Sequence, residues 1–340
     1  MNNFNYSQAG NIQEAIHLAG INENAAFIAG GTNLTDLMKY MVLQPDALID
    51  INRIDSYHTI EATEDGGVRL GALVTNADTA YHPLIEERFP LLSKAILAGA
   101  SAQIRNMATN GGNLLQRTRC YYYYDVATPC NKREPGTGCS AASGYNRMMA
   151  VLGTSEHCIA VFPSDMCVAL AALDAVVYIS GASWERSMAF TAFHRLPGDT
   201  PHIDNNLQPN EIITFIEIPA NNFHQHYSYL KLRDRNSYAF ALVSVATALE
   251  LDGDSIKDAR IALGGVAHKP WRSIEAEAFL QGKTPTRENF AAAADIIMEG
   301  AIGYEHNSFK IELAKRAIIR NGLMALEPAS SQLPGAQPSL

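Results

Sequence analysis

Two kinds of residue in this chain could do chemistry: clustered thiols and paired glycines. All five cysteines fall between Cys120 and Cys167, under a sixth of the 340 residues. Disulfide-stapled secreted domains are short and cysteine-dense, and this chain is neither, so the clustering suggests a local metal site. Cys120, Cys130, Cys139 and Cys158 follow one another at ten, nine and nineteen positions. Four thiolates suffice for a [4Fe–4S] cluster or a structural zinc. The spacing has neither the C-x-x-C knuckles of zinc ribbons nor the tight run of bacterial ferredoxins, so it leaves the metal open. Buried, unligated thiols are the plainer alternative, but free cysteines usually sit in regular core elements. Cys167 does, in a helix that follows Ser164, and reads as a core thiol. His157, beside Cys158, could replace one ligand, although an ordinary surface histidine explains it as well.

The glycines come in two similar settings. Ile28-Ala-Gly-Gly-Thr-Asn-Leu34 follows a short apolar run, and Ala108-Thr-Asn-Gly-Gly-Asn-Leu114 repeats the arrangement some eighty positions later. Glycines at the end of a strand let backbone N–H groups approach a pyrophosphate, and the next helix offers its positive end. Thr32 and Asn33 could cap that helix or bond phosphate oxygens. Either segment alone could be a plain strand–helix turn. A pair of them can close on one dinucleotide from two sides. Neither is G-x-G-x-x-G, so a Rossmann domain is not implied. Asp165 at a helix start and Lys231 in a strand pattern are undiagnostic singly, and no Ser–His–Asp, H-E-x-x-H or Walker pattern is present.

The elements that must position these residues are mixed α and β. The opening reads strand, helix (11–19), strand (25–28), with a helix over 34–41 after the first glycine pair. A hairpin joins 58–62 to 68–73, a helix covers 91–102, and 104–116 contains the second glycine turn. From 117 to 158 no period is sustained. Tyr121, Tyr122, Tyr123 and Tyr124 run together there, and a loop this long inside a compact domain is normally held by something. Strands are expected at 159–162, 175–179 and 211–219, with a helix over 166–173 capped by Ser164. Beyond a change of register near 225, strands over 227–231, 241–251 and 259–266 lead to helices over 274–280, 287–298 and 309–321. The Ser-, Pro- and Gln-rich residues from Glu327 read as a mobile tail.

Composition narrows the class further. A hydrophobic content of 47% with 18% charged residues fits a globular core, and the net charge of −9 argues against nucleic-acid or anionic-membrane partners. The opening residues MNNFNYSQAG lack the basic and apolar regions of a secretory signal, and no apolar run nears the roughly 20 residues of a membrane helix. No export or anchoring address is therefore expected in this chain.

Taken in order, these segments resemble the FAD-binding medium subunit of the xanthine dehydrogenase and aldehyde oxidase (molybdenum hydroxylase) family. The two glycine segments match the family's flavin-pyrophosphate motifs. PSDM at 163–166, EIITFIEIP at 211–219, YLKLRDR at 229–235 and ALGGVAHKPWR at 262–272 match further blocks in register. The cysteine-bearing stretch NLLQRTRCYYYYD, PCNKREPGTGC and SEHCIAVFPSDM is most similar to that of bacterial periplasmic aldehyde oxidoreductases.

The resemblance implies an α+β fold with two domains. A two-lobed FAD domain like that of vanillyl-alcohol oxidase would span 1–225, with the iron–sulfur insertion at 117–158. A smaller C-terminal domain of a three-stranded sheet with helices, like that of CO dehydrogenase flavoproteins, would span 226–326. Phe27, Ile28, Ala29, Gly30, Gly31, Thr32, Asn33 and Leu34 would line the adenine–pyrophosphate half of FAD. Thr109, Gly111, Gly112 and Asn113 would grip it from the second lobe. Asp165 and Lys231 would face the flavin ring, with Ile213 packed near it. A [4Fe–4S] cluster would sit on Cys120, Cys130, Cys139 and Cys158.

The resemblance also implies partners: a molybdopterin-binding large subunit that oxidises an aldehyde, and a small subunit with two [2Fe–2S] clusters, together a heterotrimer. Electrons would pass through those clusters to the FAD and on to an external acceptor. Co-export to the periplasm with a signal-bearing partner is expected, a cytoplasmic complex being the alternative. A stand-alone flavin oxidase of the vanillyl-alcohol oxidase type is the rival enzyme reading, but no substrate-polarising group stands out. A zinc-clamped interaction protein explains the thiols and leaves both glycine motifs idle.

Overall fold

A computed structural model describes residues 1–236 and 238–327; residues 328–340 of the expected tail lie outside the described residues. Three sheets carry the architecture. The first is parallel, with β1 (Asn5–Gln8), β2 (Ala25–Ile28) and β3 (Ala47–Asp50) in the order β1-β3-β2. The helix Ile12–Gly20 joins β1 to β2. It begins at a side-chain cap, in which Asn11 accepts from the Glu14 N–H, and the Glu14 carboxylate accepts from the N–H of the preceding Gly10. Its buried Ile12, Ala15, Ile16 and Ala19 follow helical spacing and cover the sheet. The central strand β3 went unforeseen because Ala-Leu-Ile-Asp is too short to show a period.

The second sheet is antiparallel, in the order β4-β5-β8-β6-β7. Its strands are β4 (Ile60–Ala62), β5 (Val68–Gly71), β6 (Val176–Ser180), β7 (Glu185–Ala189) and β8 (Ile212–Ile218). The edge strand β7 also went unforeseen, since Glu-Arg-Ser-Met-Ala presents no buried face. The third sheet runs β12-β11-β10-β9, with β9 (His226–Leu232), β10 (Val243–Asp252), β11 (Ser255–Gly264) and β12 (Trp271–Arg272). The two-residue β12 makes it four-stranded rather than three. The helices Ile274–Leu280, Arg287–Ile297 and Phe309–Met324 pack on it.

The helix Asp165–Ala172 is apolar on every side after its first residue and fully buried. It packs against the helix Pro90–Ala98 and against β10 and β11, so one core joins the second and third sheets. Residues 159–162, expected as a strand, belong to no sheet. Their backbone bonds go to loops instead, Ala150 donating to the Ile159 carbonyl and Phe162 to that of Ala267.

The stretch 117–158 holds only the short helices Tyr121–Tyr124 and Ser140–Ser143 and otherwise turns. Side chains that bond backbone give it shape. The Asn131 amide oxygen accepts from Gly136 and Gly138 at 3.1 and 2.8 Å, while Arg133 donates to the Tyr122 and Tyr123 carbonyls. Gly138, at φ +104, needs the backbone freedom of glycine to close that turn.

Candidate functional site

Both glycine segments open onto one cavity of about 1540 Å³. Phe27 to Leu34, Thr109, Gly111, Gly112, Asn113, Asp165, Ile213 and Lys231 all line it. Gly31 has φ +67, as a tight turn after β2 requires. Gly30 is glycine for a different reason: a Cβ there would lie 1.8 Å from the Met107 carbonyl oxygen. The first turn thus presses on the backbone just before the second, and the two close one wall together.

Helix ends contribute less than expected. The helices that follow the glycine pairs, Leu34–Lys39 and Asn110–Leu114, are six and five residues long, too short for a strong macrodipole. Neither Thr32 nor Asn33 caps the first, and the Thr35 hydroxyl bonds back to the Gly31 carbonyl. The second does begin at a true cap, with Thr109 accepting from the Gly112 N–H. Asn33 instead accepts from the Arg117 N–H at 2.8 Å. Asn113 donates to Asn76 at 2.8 Å and accepts from Ser164 and Gln116. Both asparagines are therefore braces that fix the cavity wall.

At the other end stands a buried ion pair. The Lys231 ammonium lies 2.8 Å from Asp165 and 3.0 Å from the Ala98 carbonyl, and the Tyr229 hydroxyl donates to the other Asp165 oxygen at 2.7 Å. The side chains of Lys231 and Asp165 are 5% and 8% exposed. Tyr229 and Lys231 are two apart on β9, so one strand face delivers both. Burial first, then the Asp165 charge, pushes the Tyr229 phenol well above its usual range, which keeps it a donor. Sequence reasoning named Asp165 and Lys231 and missed Tyr229, although the alternation of β9 carries that signal.

Six cationic and five acidic side chains line the cavity, an excess of one positive charge in a chain of −9. Arg105, Arg117 and Arg119 are among them and were also missed. The Nε atoms of Arg105 and Arg119 are buried without a partner.

The four cysteines meet elsewhere. Cys120, Cys130, Cys139 and Cys158 line a second cavity of only about 10 Å³ together with Tyr122, Tyr123, Lys132 and His157. None forms a disulfide. Cys130 and Cys139 face each other across an isolated bridge, and a hydrogen bond from Cys158 holds the Cys139 thiol below its usual range. Among the described residues no group of three or more His, Cys, Asp and Glu side chains is arranged to hold a metal ion. Cys167 sits fully buried in the main core, where burial pushes its thiol up to about 12.

Residues 2–221 match the family described as the FAD binding domain in molybdopterin dehydrogenase, and residues 227–302 match the CO dehydrogenase flavoprotein C-terminal domain. The chain belongs to the FAD-binding subunits of the molybdenum hydroxylase family. It is 48% identical over 319 residues to the aldehyde oxidoreductase FAD-binding subunit PaoB of Escherichia coli, covering 94% of this chain and 96% of that one. It is 30% identical to the glyceraldehyde dehydrogenase medium chain of Sulfolobus acidocaldarius, covering 82% of each. Among solved structures, carbon monoxide dehydrogenase from Hydrogenophaga pseudoflava matches with a TM-score of 0.74 at 26% identity, over 95% of this chain and 97% of that one.

For an FAD-binding subunit the large cavity fits its cofactor. Arg105 and Arg119, which line the cavity and whose Nε atoms are buried without a partner, bring positive charge that suits a pyrophosphate, and Gly31 puts no side chain between its backbone and the cavity. The cysteine cavity offers a donor set of four thiols and Tyr123, whose fully buried hydroxyl has no partner.

Proposed function

We propose that this chain is the FAD-binding, electron-transferring subunit of a molybdenum-dependent aldehyde oxidase or dehydrogenase. A molybdopterin-binding large subunit and a small subunit with two [2Fe–2S] clusters would complete a heterotrimer. The observation that carries the reading is the single cavity onto which two glycine segments and the Asp165–Lys231 pair all open. The aldehyde class is supported by likeness to PaoB and to the glyceraldehyde dehydrogenase medium chain, and these names support it over a stand-alone oxidase.

FAD, when bound, supplies a carrier that takes up an electron pair and hands it on to an external acceptor. The protein's own part is positioning. Phe27 to Leu34 would line the adenine–pyrophosphate half, and Thr109, Gly111, Gly112 and Asn113 would close on it from the second lobe. Ile213 would pack by the ring, Lys231 would offer its ammonium to negative charge there, and Asp165 would accept from a ring N–H. Tyr229 and the Ala98 carbonyl hold that pair in place beforehand, so little reorganisation is needed.

Cys120, Cys130, Cys139 and Cys158 would hold a [4Fe–4S] cluster. A donor set of four thiols around one cavity, together with the likeness of the cysteine segment to that of periplasmic aldehyde oxidoreductases, supports the cluster. The corresponding domain division is 1–225 and 226–326. Periplasmic residence by co-export is supported by the likeness of the cysteine segment to that of periplasmic aldehyde oxidoreductases. No helix among the described residues is long and apolar enough to cross a membrane.

The test is an anaerobic absorption spectrum of the complex before and after an aldehyde is added. Flavin bands and a broad iron–sulfur shoulder that bleach together are expected. A protein with no flavin band, or a flavin that aldehyde bleaches in this chain alone, would overturn the reading.

A further inference from the structure

The two cavities share one carboxylate. Asp204 lies in the loop between β7 and β8, outside both glycine segments and outside the cysteine segment. One of its oxygens accepts from the Arg117 Nε at 2.6 Å, and the other pairs with the Lys132 ammonium. Arg117 lines the large cavity, and its N–H donates to Asn33 of the first glycine segment. Lys132 lines the cysteine cavity and is only 3% exposed, with its remaining contact on the Pro201 carbonyl at 2.7 Å. The next residue back, Asn131, donates to the His157 carbonyl at 3.0 Å, beside Cys158. A second contact runs parallel to this one: the Arg117 guanidinium lies 4.9 Å from the Tyr123 ring, and Tyr123 belongs to the cysteine core.

We propose that Asp204 is a positioning residue that couples FAD binding to occupancy of the cysteine site, through Lys132 on one side and Arg117 on the other. The inference rests on the reading that the four cysteines hold a cluster. Charge explains the direction of the coupling. Two cations share one carboxylate, so the group keeps one net positive charge on the side of the dinucleotide cavity. His268, buried nearby, adds none, since burial pushes it down to about 3. With the cysteine segment held shut by its cluster, Lys132 stays on Asp204 and offsets its charge, so Arg117, still bonded to Asp204, keeps a net pull on the pyrophosphate. When the segment loosens, Lys132 withdraws and Asp204 neutralises Arg117 alone. The pull on the dinucleotide falls. Coupling of this kind is reciprocal, so bound FAD also tightens the hold on the cluster.

The test titrates FAD, followed by flavin fluorescence, into flavin-stripped protein with its iron in place and again after chelation. Iron per chain is measured alongside. In the wild type, removal of iron is expected to weaken FAD binding about tenfold, within the usual range of coupling between sites. Asp204→Asn has no carboxylate to neutralise Arg117 in either state, so it is expected to bind FAD at least as tightly as the iron-loaded wild type and not to weaken on chelation. Asp204→Glu is expected to restore the response. Should Asp204→Asn fail to fold, Lys132→Met carries the test: it leaves Asp204 to neutralise Arg117 alone, so FAD is expected to bind as weakly as to the iron-free wild type and chelation to change nothing further. A wild type that carries iron but binds FAD equally well without it overturns the coupling. So does an Asp204→Asn or Lys132→Met protein that keeps the full iron dependence. Protein that holds no iron in any preparation sinks the cluster reading, and the coupling with it.

Discussion

The dinucleotide cavity and the cysteine cavity are built on opposite plans. The large one draws on the first sheet, the second sheet, the helix Asp165–Ala172 and β9, from residues as far apart as 27 and 231. Its key groups already bond one another: Asn33 to Arg117, Asn113 to Ser164, Asp165 to Lys231 and Tyr229. It is open to solvent. The small cavity is local, with all four thiols inside 39 residues, and it encloses only about 10 Å³. Regular elements preorganise the first site. The second relies on turns, and a bound cluster would complete the fold of its segment.

The comparison breaks most sharply at a thiol. Cys139→Ser should lose nearly all the iron while the flavin site survives with weakened affinity. Iron and flavin contents of the purified protein check this, and loss of both cavities together would contradict it. Next comes the ion pair. Lys231→Met leaves the Asp165 carboxylate buried with only Tyr229 beside it, which should cost about 3 kcal/mol of stability. Urea unfolding measures it, and Lys231→Met combined with Asp165→Asn should recover most of the loss.

A smaller effect is expected at Gly30. Gly30→Ala would force apart the two turns that meet at Met107, so FAD affinity should drop at least about tenfold, or ~1.4 kcal/mol, while the protein keeps most of its iron. An equal loss of iron would show that the two sites are not separately built.

The smallest test lies where the end of the cysteine segment meets the third sheet. Lys310 is fully buried and donates to the carbonyls of Met148, Met149 and Gly265. Burial pushes its amine down to about 7, from an ordinary value of 10.5. Between those values the unfolded chain holds a proton that the folded chain has released, so stability rises with pH there. The gain should be about 1 kcal/mol from pH 7 to pH 8. Lys310→Met should flatten that slope, as urea midpoints at the two pH values would reveal.

What could be read from the sequence follows the same division. Elements with a sustained period were legible: the helices Ile12–Gly20, Ile274–Leu280 and Arg287–Ile297, and the long strands β10 and β11. Short or faceless strands were not. The four residues of β3 are too few to show alternation, and β7 lies at an edge where Met188 packs on the core beside charged and polar neighbours. Residues 159–162 are apolar for another reason, packing into loops rather than pairing in a sheet. At the cavity, the residue types of the glycine pairs, Asp165 and Lys231 stood out, and the structure brings them to one wall. Arg105, Arg117, Arg119 and Asp204 did not. A lone arginine in a loop, or at the end of a one-turn helix like Arg105, carries no periodic signal, and the role of Arg117 arises from a partner 87 positions away, Asp204.

The central claim is that the cavity between the two glycine segments takes an intact dinucleotide. Titration of flavin-stripped protein with FAD and with FMN tests it most directly, with calorimetry as the readout. One FAD per chain, bound far more tightly than FMN, is the result expected of a site that grips the adenine–pyrophosphate half. Equal affinity for the two, or no heat with either, would contradict the account.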